Sequence, residues 1–170
     1  MRATVAIADL DGWRDGFAQQ PTPSRIGVTI MKTSLETFIY TAHTHVTGGR
    51  NGLGRSSDGE LDVTLSRPGS GQPGTNPEQL FGIGYSACFI GAIQLAATAR
   101  KVAMPKDASI DTEVTLGKTA AGEFQLAVKL NVNLPGLDEA LKRELVEAAH
   151  QTCPYSRMTR GHVEVELAVA

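Results

Sequence analysis

The sequence predicts an α+β domain with an antiparallel sheet, and three observations carry the prediction. Residues 122–134 alternate, with Leu126, Val128, Leu130 and Val132 on one face, the period of a half-buried strand. Residues 77 to about 100 are apolar nearly all round and follow a strong helix-start signal,. The elements run β-meander, helix, hairpin, helix, strand, which is an α+β plan.

Each element has its own local reason. Residues 1–30 show no sustained period. Asp11-Gly12 is turn chemistry and Gln19-Gln20-Pro21-Thr22-Pro23-Ser24 reads as a linker, so the organised domain is expected over residues 31–170,. Residues 38–46 are rich in β-formers and predict a strand,. The glycine-rich turn Thr47-Gly48-Gly49-Arg50-Asn51-Gly52 and the turn Ser57-Asp58-Gly59 follow. Leu61, Val63 and Leu65 then alternate with polar neighbours, completing an N-terminal meander,.

Residues 67–75 form a loop, and Asn76-Pro77-Glu78-Gln79 opens a helix: Asn76 caps, Pro77 suits the first helical position and Gln79 stands three residues after the cap,. A helix with no polar face is a buried helix, and a chain of this size needs a second subunit to cover it. Residues 108–117 and 122–134 predict a hairpin. Asp138 caps a second helix that runs to about Cys153, where Pro154 stops it, and residues 162–169 form the last strand,.

The bulk composition excludes several function classes. With 170 residues, 41% of them hydrophobic, the chain suits one domain with an ordinary core,. Sixteen Lys+Arg against eighteen Asp+Glu give a net charge of -2, which leaves no basic excess for nucleic acid,. No apolar run is expected to reach the ~20 residues that span a bilayer. Val5-Ala6-Ile7-Ala8 is too short for a secretory core,. A cytoplasmic location is therefore expected, with no nucleic acid or membrane as partner. Two cysteines in that setting are seldom a structural staple. They act in redox chemistry, bind metal, or pack as small hydrophobes,.

Cys88 lies about three turns inside the apolar helix, beyond the reach of the helix dipole, and apolar surroundings raise a thiol pKa. A reactive Cys88 needs a cation from elsewhere, and Arg50 in its flexible turn is a candidate. Glu78 in the first helical turn complements the dipole, or orients Arg50 through a bidentate pair. Cys153 closes the second helix, where movement is easy. Two other patterns are weaker. Gly82-x-Gly84-x-x-Ala87 matches a dinucleotide fingerprint but lies inside a helix,. His43, His45, His150 and Cys153 include metal-ligand types, yet paired histidines on one strand are more often surface residues,.

Taken together, Thr47-Gly48-Gly49-Arg50-x-Gly52, Ser56-Ser57-Asp58-Gly59, Gly74-Thr75-Asn76-Pro77-Glu78-Gln79-Leu80-Phe81, Gly84-Tyr85-Ser86-Ala87-Cys88-Phe89, Ala148-Ala149-His150-x-x-Cys153-Pro154-Tyr155-Ser156 and Thr159-Arg160-Gly161 resemble the organic hydroperoxide resistance (Ohr) proteins of the OsmC superfamily. The resemblance runs from about Met31, a usual start for that family, to the C-terminus. His162 departs from it, standing where the family commonly has Asn. The resemblance implies an intertwined homodimer with antiparallel sheets wrapped around two central helices. It also implies a peroxidatic Cys88 and a resolving Cys153, with Arg50 and Glu78 activating the thiolate. Organic and fatty-acid hydroperoxides are the implied substrates and dihydrolipoyl dithiols the reductant, without a cofactor. Phe81, Tyr85 and Phe89 are expected to wall the substrate's alkyl tail. A broader OsmC-type peroxidase and a non-catalytic small-molecule-binding dimer are the alternatives.

Glu78 and Cys88 stand ten positions apart on one helix. At about 1.5 Å per residue that is about 15 Å along the axis and nearly a right angle around it. Glu78 is therefore expected to serve the Cys88 of a partner subunit.

Overall fold

The computed structural model describes residues 35–170. The expected extension over residues 1–30 and the start at Met31 lie outside the described residues. Among the described residues there are two three-stranded sheets and three α-helices. The first sheet joins β1 (Thr44–Thr47), β2 (Leu53–Ser56) and β3 (Asp62–Thr64) in an antiparallel meander. The long helix α1 (Pro77–Ala99) follows, then β4 (Ser109–Lys118) and β5 (Phe124–Asn133) as an antiparallel hairpin. Helices α2 (Glu139–Thr152) and α3 (Pro154–Thr159) lead to β6 (Glu164–Val169).

The helix starts obey local rules. The Asn76 side chain accepts the Gln79 N–H at 2.9 Å, and Pro77 occupies the first turn of α1. The Gln79 side chain accepts from the Thr75 hydroxyl at 2.8 Å. Asp138 caps α2 by accepting the Leu141 N–H at 2.9 Å. Each cap satisfies an N–H that the helix leaves without a partner.

Three expectations change. The strand expected over residues 38–46 is reduced to β1, and Phe38, Ile39 and Tyr40 are exposed. β-forming side chains make a strand only where a partner strand lies alongside, and here pairing stops at the bond from the Ser57 N–H to the His43 carbonyl. Secondly, β6 pairs with β5 in parallel, from Ala127↔Glu164 to Val132↔Val169, so the larger sheet is mixed. A crossover through two helices returns the chain in the direction it left, whereas a tight turn reverses it. Thirdly, Pro154 stops α2 but also opens α3, since proline is as suited to a first helical turn as it is hostile to an interior one,.

The core lies where α1 and α2 pack against the larger sheet. Tyr85, Phe89 and Ile93 of α1 meet Val128, Leu130 and Val132 of β5 and Leu145, Val146 and Ala149 of α2. Gly82 permits close approach of β4: a Cβ there would stand 3.3 Å from Val114 Cγ2. By length and mean hydropathy α1 reaches the range of a membrane span, contrary to expectation. Its inward face is nonetheless the centre of this core. Its other face keeps Ile83 and Leu95 68% and 71% exposed, so the described residues cover only one side of an apolar helix.

Candidate functional site

The chemistry-bearing side chains fall into two groups, one at the first turn of α1 and one near its middle. The first is an ion pair. Arg50 sits in a single helical turn, Gly49–Asn51, between β1 and β2. The turn depends on its glycines: Gly48 has φ 68°, and a Cβ on Gly52 would lie 1.7 Å from the Thr47 carbonyl oxygen,. Two links tie this small sheet to the start of α1. Leu65 bridges to Thr75, with the Thr75 N–H bonded to the Thr64 carbonyl at 2.9 Å. Arg50 itself donates to Glu78 from Nη1 at 2.9 Å and Nη2 at 2.6 Å, a bidentate fork,.

Glu78 is largely enclosed, and the hydrogen bonds from Arg50 hold its pKa below the ordinary value of 4.5. Glu78 in return raises the Arg50 pKa further. The pair opens onto a groove of about 970 Å³ whose apolar wall includes Ile83, Ile110, Val114 and Leu116. Ser86 fastens α1 to β4 here, bonding to the Gly82 carbonyl at 2.7 Å and the Thr112 hydroxyl at 2.6 Å.

The second group is a pair of thiols. Cys88 is partly open and Cys153 is fully buried. Their sulfurs are 3.4 Å apart, well beyond the ~2.05 Å of a disulfide, so both are free. Cys153 links α2 to α3: its N–H bonds to the Ala149 carbonyl at 2.8 Å, and its extended backbone turns the chain into the next helix. Burial pushes the Cys88 pKa up from its ordinary value, and the hydrogen bond from the Cys153 thiol adds to this. The Tyr155 backbone N–H, bonded to Cys88, pulls the other way. Within this chain burial and Cys153 both favour the thiol form of Cys88, and Cys88 does not line the groove that holds Arg50 and Glu78.

The residues expected to form a substrate wall lie next to the thiols along α1. Tyr85 and Phe89 are fully enclosed, while Phe81 stays partly open. They form an aromatic cluster: Tyr85 meets Phe81 at 5.8 Å and Phe89 at 6.3 Å edge to face, and stacks on Tyr155 at 5.6 Å. Gly84 makes room for Tyr155, whose Oη would lie 3.0 Å from a Cβ at that position. The glycines that imitate a dinucleotide motif therefore serve helix packing. Sequence reasoning gave no role to Tyr85 Oη, Ser156 or Thr159, which meet in the core behind the thiols. The string Cys153-Pro154-Tyr155-Ser156 was the available signal. Among the described residues no three His, Cys, Asp or Glu side chains are grouped to hold a metal ion.

The chain matches the family described as OsmC-like protein over residues 69–168. It is 48% identical over 141 residues to the organic hydroperoxide resistance protein of Xanthomonas axonopodis pv. citri, covering 81% of this chain and 99% of the relative. It is 44% identical over 133 residues to OhrB of Bacillus subtilis, covering 76% and 96%. The crystal structure of OhrB superposes with a TM-score of 0.74 at 43% identity, covering 78% of this chain and all of OhrB. An organic hydroperoxide resistance protein from Legionella pneumophila gives a TM-score of 0.74 at 40% identity, covering 79% and 99%.

Proposed function

This chain belongs to the OsmC family, with organic hydroperoxide resistance proteins among its relatives, and on that premise we propose that it is a thiol-dependent peroxidase that reduces organic hydroperoxides to alcohols. The observation that carries the proposal is the pair of free sulfurs 3.4 Å apart, one partly open and the other buried. The Cys88 thiolate attacks the distal peroxide oxygen, the O–O bond breaks, and the alkoxide leaves and takes up a proton as the alcohol. Cys88 becomes a sulfenic acid. The Cys153 sulfur then attacks the Cys88 sulfur, the S–O bond breaks, and hydroxide leaves with the thiol proton as water. A dihydrolipoyl-type dithiol reduces the resulting disulfide and is itself oxidised.

This chemistry needs a thiolate, and a protomer alone favours the thiol. A homodimer supplies the missing cation. Leu95 on the uncovered face of α1 and the exposed Phe38, Ile39 and Tyr40 are apolar side chains that a second copy would cover,. We assign Arg50 and Glu78, paired within one chain, to the Cys88 of the other, where the guanidinium stabilises the thiolate. The groove's apolar wall then receives the alkyl part of the peroxide. We place the enzyme in the cytoplasm, where dithiol reductants are maintained.

Steady-state turnover of cumene hydroperoxide and a fatty-acid hydroperoxide, with dihydrolipoamide compared against other thiols, tests the proposal. Cys88→Ser is expected to abolish turnover, and full activity in that variant overturns the mechanism.

A further inference from the structure

Behind the thiols, α1 and α3 are joined by a second contact. Tyr85 stands three residues before Cys88 and Ser156 three residues after Cys153, so each pair is about one helical turn apart. The two helices thus meet at two antiparallel rungs: Cys88 with Cys153, sulfur to sulfur at 3.4 Å, and Tyr85 with Ser156, oxygen to oxygen at 2.9 Å. Tyr85 and Ser156 are fully buried and Thr159 nearly so. All three hydroxyls therefore need partners within the protein.

One direction of donation satisfies them all. Thr159 Oγ1 donates to the Tyr155 carbonyl at 3.0 Å, so toward Tyr85 Oη, 3.4 Å away, it is left to accept. Tyr85 then donates to Thr159 and accepts from Ser156. The chain of bonds ends on the backbone of α3 itself, and the Tyr155 ring stacked on Tyr85 lies along the same contact.

We propose that Tyr85, Ser156 and Thr159 form a latch that holds α3 on α1 and so positions the Cys153 sulfur at Cys88. Tyr85 and Ser156 are positioning residues that act through Cys153. The role rests on the peroxidase reading in one respect, because the latch then decides the fate of oxidised Cys88. Condensation with Cys153 needs the sulfurs to close from 3.4 Å to about 2.05 Å. If α3 swings away, a second peroxide oxidises the sulfenic acid to sulfinic acid and is itself reduced to alcohol.

Tyr85→Phe, Ser156→Ala and their double variant test the latch in two arms on the full chain. The first arm uses no peroxide: alkylation of Cys153 by iodoacetamide is followed in a Cys88→Ser background. Ser156→Ala is expected to speed alkylation by about tenfold, the shift in local opening that follows from losing one buried hydrogen bond, and Tyr85→Phe, which also loses the bond to Thr159, by at least as much. The double variant is expected to match Tyr85→Phe, because Ser156→Ala removes only a bond that Tyr85→Phe already lacks. Ser156→Thr, which keeps the hydroxyl, is expected to stay near the parent. In the second arm, mass spectrometry measures disulfide against Cys88 sulfinic acid as hydroperoxide is raised. The sulfinic fraction is expected to rise in both singles, with the first oxidation of Cys88 unchanged in Ser156→Ala. Unchanged Cys153 alkylation in Tyr85→Phe overturns the latch, even if that variant melts earlier. So do effects that multiply in the double. A parent protein that forms no disulfide with peroxide overturns the peroxidase reading instead, and the first arm still judges the latch.

Discussion

Mixed dimers decide whether the ion pair and the thiol of one chain serve one site or two. Ten positions on α1 separate Glu78 from Cys88. That is about 15 Å of rise and nearly a right angle of rotation. A working thiolate–arginine–carboxylate arrangement needs contacts of roughly 3 Å. Arg50 is committed to Glu78 of its own chain at 2.6 and 2.9 Å, so the two travel together. The perturbation combines Cys88→Ser chains with Glu78→Ala chains. If the pair acts across the interface, each mixed dimer holds one complete site: Cys88 from the Glu78→Ala chain, with Arg50 and Glu78 from the other. It should work at about half the wild-type rate per dimer. A random one-to-one mixture is about half mixed dimers, so it should show about a quarter of wild-type turnover above the residual of Glu78→Ala homodimers. Separately tagged chains, purified as the mixed species and assayed with cumene hydroperoxide, give the number directly. Mixed dimers no more active than expected from Glu78→Ala sites alone would refute action across the interface and with it the geometric reasoning.

Four further outcomes follow from the same geometry. Cys153→Ser should consume about one equivalent of peroxide and then accumulate sulfinic acid at Cys88; an unchanged disulfide yield by mass spectrometry contradicts this. Arg50→Gln should move the midpoint of Cys88 alkylation to higher pH by about one unit or more, because an adjacent cation lowers a thiol pKa by about that amount, while an unmoved midpoint removes Arg50 from thiolate activation. Since Arg50 lowers the Glu78 pKa from 4.5, the pair's stabilisation should be complete above that value and fade only as pH falls through the lowered one, with Glu78→Gln abolishing that pH dependence of stability. Gly52→Ala should cost most of the turnover by displacing the Arg50 turn, and near-parental turnover in that variant contradicts the role of the turn.

Legibility in the sequence followed the range of the interactions. Asn76-Pro77 and Asp138 could be read as helix starts because a cap is settled within four residues,. The strand β5 could be read from its alternation alone. Residues 38–42 could not, because no strand among the described residues pairs with them, and the direction of β6 depends on a crossover that no local pattern records. Pro154 was legible as a stop but ambiguous as a start. In the site, the Arg50–Glu78 fork matches the pairing suggested by residue chemistry. The meeting of Cys88 and Cys153 joins positions 65 residues apart and entered only through a family resemblance. Tyr85 read as one apolar aromatic among several, since nothing in its neighbours reveals that its hydroxyl reaches Ser156 across the core.

The central claim is that the two thiols act as one redox pair. Fully reduced protein treated with one equivalent of cumene hydroperoxide, then alkylated and peptide-mapped, tests it most directly. The account predicts loss of both free thiols, one equivalent of alcohol and a single Cys88–Cys153 disulfide. Protein that keeps both thiols while the peroxide persists contradicts it.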